Sequence, residues 1–253
     1  MAAPTGDGRE PGSPGHRRRQ CGVTAAVAVL AVVCLVAGIA AATRAHAELT
    51  RKATVAETSA AAALGVASRW AREPAGQLFP ATLPYHSELS NRESARRAGI
   101  SSASSCAAAL DAAVAETARR DGCQTVLRAS YLDQLGGVVF TIGVLAFPTP
   151  GQAAAFLARY RAAQRPVRGL RADAFPGTDA ASFDDAARQV ALSRPDGPYA
   201  VLTVAGYADG RPADTTGQQR STPFQPASQL AEDVGTPLSQ PVTVTCHRPE
   251  WSC

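Results

Sequence analysis

The most regular pattern in the chain is an uninterrupted apolar run near its start. No charged residue lies between Arg19 and Arg44, and from Cys21 to Thr43 nearly every side chain is Ala, Val, Leu, Ile, Cys or Gly. A bilayer core is crossed by roughly 20 apolar helical residues. Residues 21–43 therefore predict a transmembrane helix in contact with the lipid bilayer.

The charges that flank this run predict its orientation. Three consecutive arginines lie in HRRRQ (16–20), and the positive-inside rule keeps such a cluster in the cytoplasm. Residues 1–20 are rich in Pro and Gly, which predicts a disordered cytoplasmic tail. Residues 44–253 are then expected outside the cell membrane, in a single-pass arrangement.

A cleaved signal peptide is the alternative interpretation of the same run. Ala45-His46-Ala47 fits the small-x-small cleavage pattern, with cleavage after Ala47. The run is longer than the 7–15 apolar residues of a signal peptide, and Arg44 interrupts the approach to the site, which favours an anchor. Either outcome exports the C-terminal part.

Two segments separate the apolar run from the first clear amphipathic pattern. Residues 44–73 are rich in helix formers and contain no Pro, which predicts a helical stalk continuing the membrane helix, with Trp70 packed on the following domain. Residues 74–103 contain three prolines and predict an extended connecting segment. Its expected apolar anchors are Leu78, Phe79, Leu83 and Tyr85.

Helix and strand patterns alternate through residues 104–208. Ser104 or Ser105 is expected to cap a helix that runs to Arg120, with Gly122 beyond its end. Two strands (123–133 and 137–148) joined by a Gly-Gly turn follow, and the second is apolar on both faces, as in a central strand.

The pattern then repeats. Thr149, Pro150 and Gln152 form a capping-box start for a second helix. Strands at 188–193 and 198–208 are joined by a turn with Arg-Pro-Asp-Gly. The order α-β-β-α-β-β predicts an exported α+β domain in which two helices pack on one face of an antiparallel sheet. Residues 209–253 predict a Pro-rich tail, largely disordered, with an edge strand at 241–246 and a terminal Cys ring.

Four of the six cysteines lie in the expected exported part: Cys106, Cys123, Cys246 and Cys253. Cysteines in an oxidising compartment usually form disulfides, and four allow three pairings. Closeness in sequence favours Cys106–Cys123 and Cys246–Cys253. A metal site lacks support because no CxxC occurs, and no cofactor is expected.

Charge and motifs exclude several functional classes. The chain has 25 Lys and Arg against 21 Asp and Glu, which gives no basic field for nucleic acid. No GxSxG, HExxH, P-loop, GxGxxG or SxxK motif occurs, so no catalytic residue is assigned.

Weak candidates remain among single side chains. An enzyme of unfamiliar type would use Asp133, Asp184 or Asp185 if they met in one pocket. The histidines at 46, 86 and 247 have no readable nucleophile partner. Arginines cluster before the first helix and around the second, where they could meet anionic envelope polymers or simply face solvent. They are Arg92, Arg96 and Arg97, then Arg159, Arg161, Arg165, Arg168 and Arg171.

Three pieces of the domain carry a resemblance: SSCAAALDAAV (104–114), GCQTVLRASYLD (122–133) and IGVLAFPTPGQAAAFL (142–157). The chain resembles uncharacterised actinobacterial single-pass membrane proteins with an exported α+β domain. It is more weakly similar to the exported sensor domains of actinobacterial serine/threonine kinases. It departs from those kinases because the 20 residues before the apolar run are too short for a kinase domain.

These observations favour a non-enzymatic, membrane-anchored extracytoplasmic domain that acts as a binding, sensor or adaptor module. Its expected partner is an envelope protein or a cell-wall ligand. An envelope enzyme is one alternative. An accessory structural subunit of a membrane complex is another, since Gly38 and the many alanines of the span permit close helix packing.

Overall fold

The structure is a computed structural model that describes residues 14–89, 91–162, 169–213 and 222–244. For residues 14–24, 102–104 and 162 it describes the backbone alone. The chain divides into two compact units between Thr54 and Val55. Of the predicted disordered tail at 1–20, residues 1–13 lie outside the described residues, whereas residues 14–20 are helical, so the prediction is wrong for that part. The terminal Cys ring also lies outside the described residues.

The N-terminal unit is dominated by one helix, α1 (Pro14–Thr50). Within it, Ala25–Thr50 is long and apolar enough to cross a membrane, and none of its most apolar window is buried by the rest of the chain. Large side chains such as Leu30 and Leu35 are both 64% exposed. The predicted apolar helix is present, and by length and composition it suits an anchor or a signal sequence.

The predicted continuous stalk is wrong. Helix α1 ends at Thr50, residues 51–54 are not helical, and α2 (Val55–Ala67) begins a separate element. Helices α3 (Arg69–Arg72) and α4 (Ala75–Leu78) follow. Ala61 and Gly65 are buried and Trp70 packs against the core, so tertiary contacts with the domain position this segment.

Six antiparallel strands form one sheet in the order β1-β2-β3-β4-β6-β5. The strands are β1 (Thr82–His86), β2 (Arg92–Ser104), β3 (Thr125–Leu132), β4 (Val138–Ala146), β5 (Val190–Asp196) and β6 (Tyr199–Tyr207). The pairs β1–β2, β3–β4 and β5–β6 join consecutive strands through short turns, and β2 pairs with β3 across a helical connection. Strand β4 pairs with β6 rather than with β5, the next strand in the chain. The predicted α+β class with an antiparallel sheet is confirmed.

The extended segment at 74–103 is part of the sheet rather than a connector. Leu83 and Tyr85 alternate inward from β1 and are 2% and 3% exposed, while Leu78 and Phe79 are also buried. These four anchors are the predicted ones. Burial of these side chains holds the segment against the sheet, and residues Thr82–His86 pair with β2.

Four further helices cover the sheet: α5 (Cys106–Ala109), α6 (Ala112–Arg120), α7 (Pro150–Ala162) and α8 (Pro226–Ser239). Short 3₁₀ helices lie at Asp185–Ala187 and Thr222–Phe224. The helix predicted from 104 to 120 is split, because Asp111 N donates to the Gly169 carbonyl at 2.9 Å and Leu110 bridges to Leu170. Ser105 caps α5 by accepting from Ala108 N, as predicted.

The two predicted helices, which correspond to α5–α6 and to α7, pack on one face of the sheet as expected, and the additional helix α8 covers the other face. One core contains α8 residues such as Leu230 and Val234, and a separate core contains α6 and α7 residues such as Val114 and Phe156. Every residue of β4 is buried, so a second layer is required. Helix α8 supplies it within the segment predicted to be largely disordered, and the described residues 241–244 form no strand.

Candidate functional site

The carboxylates predicted for an enzyme site accept hydrogen bonds from backbone amides. Val138 N donates to Asp133 Oδ1 at 2.8 Å, which closes the β3–β4 turn. Asp184 Oδ1 accepts from Ala186 N and Ala187 N and caps a 3₁₀ turn. Ala172 N donates to Asp185 Oδ1 at 2.7 Å. These roles tie each carboxylate to its own turn or loop, and Asp184 and Asp185 do not line the groove that Asp133 lines.

The histidines also have separate environments. His46 is exposed on α1. The backbone of His86 forms two hydrogen bonds with the Gln229 side chain. His86 N donates to Gln229 Oε1 at 2.9 Å, and Gln229 Nε2 donates to the His86 carbonyl at 3.1 Å. His247 lies outside the described residues. Within the described chain no three His, Cys, Asp or Glu side chains form a potential metal site.

The two predicted arginine clusters do not form one basic surface. Arg97 donates to the Phe79 carbonyl, and Arg96 pairs with Asp179 at 3.6 Å. Arg159 pairs with Asp121, and Arg171 Nε donates to Asp185 Oδ2 at 3.1 Å. Arg165 and Arg168 lie outside the described residues. Three of the six described arginines, Arg96, Arg159 and Arg171, are therefore paired with a carboxylate.

The Cys106–Cys123 disulfide forms as predicted and closes a 17-residue separation. It ties the start of α5 to the chain that enters β3. Cys106 is 7% exposed and belongs to the core under α6 and α7. The bond staples two helices to the sheet, which is a structural role.

Residues 169–187, which we call the strap, cross one face of the sheet on two arginine–carboxylate pairs. Arg188 is 9% exposed; its Nη1 donates to Asp111 Oδ2 at 2.9 Å and to the Leu170 carbonyl at 2.8 Å. Arg128 lies 3.6 Å from Asp173, with both side chains nearly buried. These pairs fix the strap.

Glycines allow the strap to lie flat on the sheet. A Cβ at Gly143 in β4 would overlap the Leu170 side chain. A Cβ at Gly206 in β6 would overlap the Ala187 carbonyl, which is backbone and cannot move aside cheaply. The strap is thus a packed structural layer.

A different environment lies at the end of the sheet where the β1–β2 and β3–β4 turns meet the start of α8. Here a groove of about 300 Å³, which we call the hairpin groove, opens to solvent. Its apolar lining consists of Tyr85, Leu89, Leu135, Val138, Pro223 and Pro226. Its acidic lining consists of Glu88, Glu93 and Asp133.

Hydrogen bonds between the two turns hold the hairpin groove together. Tyr85 Oη donates to Glu93 Oε2 at 2.6 Å and accepts from Gln134 N at 3.1 Å. Ser94 N donates to Gln134 Oε1 at 3.3 Å. Burial, with a smaller contribution from the Glu93 carboxylate, raises the pKa of Tyr85 to about 12, so the hydroxyl stays protonated and donates.

Two leucines at the rim of the hairpin groove face solvent. Leu89 in the β1–β2 turn is 83% exposed, and Leu135 in the β3–β4 turn is 89% exposed. Both β1 and β3 run towards this end, so antiparallel order brings the two turns together. Sequence reasoning missed the pair; the available signal was a leucine inside each polar turn, in SELSN and DQLGG.

Two other surface grooves differ from the hairpin groove because each contains an arginine beside its carboxylates. A groove of about 330 Å³ beside α8 contains Arg92 with Glu232 and Asp233. Burial, and then the neighbouring Glu232 charge, raises the pKa of Asp233. A wider groove of about 500 Å³ beside the disulfide contains Glu116 and Arg119, which pair at 2.9 Å.

Comparisons with known proteins identify no relative. No protein-family model, curated protein or solved structure matches the chain. The apolar N-terminal helix and the disulfide suggest membrane association or export, and the hairpin groove is the candidate functional site.

Proposed function

We propose that the protein is a single-pass membrane protein whose exported α+β domain binds an envelope partner without catalysing a reaction. In this arrangement the arginine-rich N-terminal tail lies in the cytoplasm and α1 spans the bilayer. The domain after Thr54 lies outside and acts as a sensor or adaptor.

The apolar helix α1 is the observation that carries the proposal. Within Ala25–Thr50, the most apolar window of 18 residues has a mean hydropathy of 2.8, and the large apolar side chains are exposed. A helix with an apolar surface all round needs a hydrocarbon environment. The disulfide adds independent support, because such bonds persist mainly in oxidising compartments.

A binding role is favoured over catalysis by the use of the polar side chains. Asp133, Asp184 and Asp185 accept hydrogen bonds from backbone amides. Arg188, which fixes the strap, donates to a carboxylate and to a backbone carbonyl. The hairpin groove instead offers apolar side chains at its rim, which is typical of recognition sites.

Single-cysteine labelling tests the topology. In a full-length chain with its native cysteines replaced by serine, Leu135→Cys and Ser13→Cys place one thiol on each side of the proposed anchor. A membrane-impermeant maleimide is expected to label Leu135→Cys on intact cells and Ser13→Cys only after lysis. The intact mass of the labelled chain distinguishes an uncleaved anchor from cleavage after Ala47.

The reverse labelling pattern would overturn the orientation. Labelling of neither variant on intact cells, with both labelled after lysis, would overturn export itself. A mass shortened by 47 residues, with the domain released from the membrane, would replace the anchor by a signal peptide.

A further inference from the structure

We propose that the hairpin groove binds an extended peptide segment of an envelope protein that carries both basic and bulky aliphatic side chains. This inference rests on the proposed function, because it names the site and the chemistry by which the exported domain would recognise its partner. The occupant is defined by three features of the groove: its exposed leucines, its unpaired carboxylates and its fixed frame.

The leucines supply the apolar part of the recognition. Leu89 and Leu135 are among the most exposed large apolar side chains of the described domain, yet both line one groove. Tyr85, Val138, Pro223 and Pro226 extend the apolar surface between them. Aliphatic side chains of a bound peptide would remove this surface from water and gain roughly 25 cal/mol per Å² buried.

The carboxylates set the charge of the occupant. Elsewhere in the described domain most carboxylates pair with arginine, as at Asp111, Asp121, Asp173, Asp185 and Asp196. Among the described residues Glu88, Glu93 and Asp133 form no ion pair, and no basic side chain lines their groove. A basic peptide would complement this field, whereas anionic lipid headgroups or acidic polymers would be repelled.

The frame of the groove is fixed before binding. Asp133 Oδ1 is held by Val138 N at 2.8 Å, and Glu93 is held by Tyr85 Oη at 2.6 Å. The Gln134 side chain ties the β3–β4 turn to β2 through Ser94 N. A peptide therefore meets preorganised carboxylates and loses less free energy to ordering the site.

Fluorescence anisotropy with a defined probe tests the proposal. The full-length protein is placed in nanodiscs of zwitterionic lipid, and the probe is a labelled Arg-Leu-Arg-Leu-Arg amide. Its affinity is compared with that of Arg-Ser-Arg-Ser-Arg and Glu-Leu-Glu-Leu-Glu at matched salt. The basic aliphatic peptide is expected to bind at least about tenfold more tightly than either comparison peptide, because each lacks one half of the complementarity.

Matched variants localise the binding. Leu89→Ser with Leu135→Ser, and separately Glu88→Gln with Glu93→Gln, are each expected to weaken the probe at least about tenfold. Leu64→Ser on the exposed side of α2 and Glu116→Gln on α6 are the controls and should leave its affinity unchanged. Circular dichroism confirms that each variant is folded.

Three results would overturn the proposal. If Arg-Ser-Arg-Ser-Arg binds as tightly as the leucine peptide, charge alone accounts for binding and the leucines play no part. If no peptide binds, the hairpin groove does not recognise a basic aliphatic peptide. Self-association of the protein that disappears in Leu89→Ser/Leu135→Ser would assign the groove to a second copy of the chain. The labelling experiment is independent of all three, so failure of the peptide leaves the proposed topology standing.

Discussion

The strap and the hairpin groove use the same residue types on one sheet in opposite ways. In and around the strap, carboxylates meet arginines that are nearly buried, as in Arg188–Asp111 and Arg128–Asp173. At the hairpin groove, carboxylates and solvent-exposed leucines line the same surface, and no arginine of the described residues lines it. Satisfied charges stabilise a layer of the fold, whereas uncompensated charges beside exposed apolar side chains leave interaction capacity for a partner.

The comparison predicts that damage to the strap destabilises the fold most. Arg188→Met removes the partner of Asp111 and the donor to the Leu170 carbonyl, and breaking such a buried pair costs about 3–5 kcal/mol. Urea unfolding of the full-length protein in detergent measures the loss. Arg119→Met removes an arginine whose side chain is 72% exposed and should not shift the midpoint. Equal midpoints for the two variants would contradict the assigned role of the strap.

The disulfide next to the strap is expected to have the second largest effect. Replacing Cys106 and Cys123 by serine releases a 17-residue closure and should cost about 3 kcal/mol in the chain-entropy model. Reductant should destabilise the wild-type protein more than the double variant, which keeps only the predicted Cys246–Cys253 pair in its exported part. A variant as stable as the oxidised protein would show that the staple is dispensable.

A third prediction concerns the arginine that joins α3 to the end of α8. Arg69 Nη1 donates to the Leu238 carbonyl at 2.6 Å and Nη2 to the Gln240 carbonyl at 2.8 Å. Cations at a helix C-terminus satisfy its free carbonyls, so Arg69→Ala should cost about 2 kcal/mol in unfolding experiments. Arg72→Ala, at an exposed position of the same short helix, is the control. A loss confined to Arg72→Ala would refute this contact.

Much of the fold is predictable because its signals are local. The caps at Ser105 and Thr149 and the continuous apolar run of β4 fix two helix starts and a central strand. Helix α8 was missed because its prolines and polar residues obscured an apolar stripe. The stripe is Ala227, Leu230, Ala231, Val234 and Leu238, preceded by Pro226 at a helix start.

The hairpin groove was beyond local sequence reasoning for a different reason. Leu89 and Leu135 lie in separate turns, and only the order β1-β2-β3-β4 places both turns at one end of the sheet. The pairing of Asp111 with Arg188 also depends on tertiary structure, because α6 and the end of the strap lie far apart in sequence. Predicting either requires the sheet order.

The buried Tyr85 hydroxyl of the groove also predicts a pH effect on stability, and this effect is confined to alkaline pH. Because burial raises the pKa of Tyr85 from about 10 to about 12, the folded protein keeps a proton that the unfolded chain releases. Its contribution to stability is complete below pH 10 and is lost as the pH rises to about 12. Tyr85→Phe should flatten the decline of the unfolding midpoint over this range. A slope identical to that of the wild type would exclude Tyr85 as its source.

The most direct test of the comparison measures stability and binding on the same Leu89→Ser/Leu135→Ser protein. The predicted result is a urea midpoint within error of the wild type, since both side chains are over 80% exposed, together with loss of Arg-Leu-Arg-Leu-Arg binding. A clear fall in the midpoint would show that the leucines stabilise the fold. Unchanged peptide binding would show that the hairpin groove is not the recognition surface.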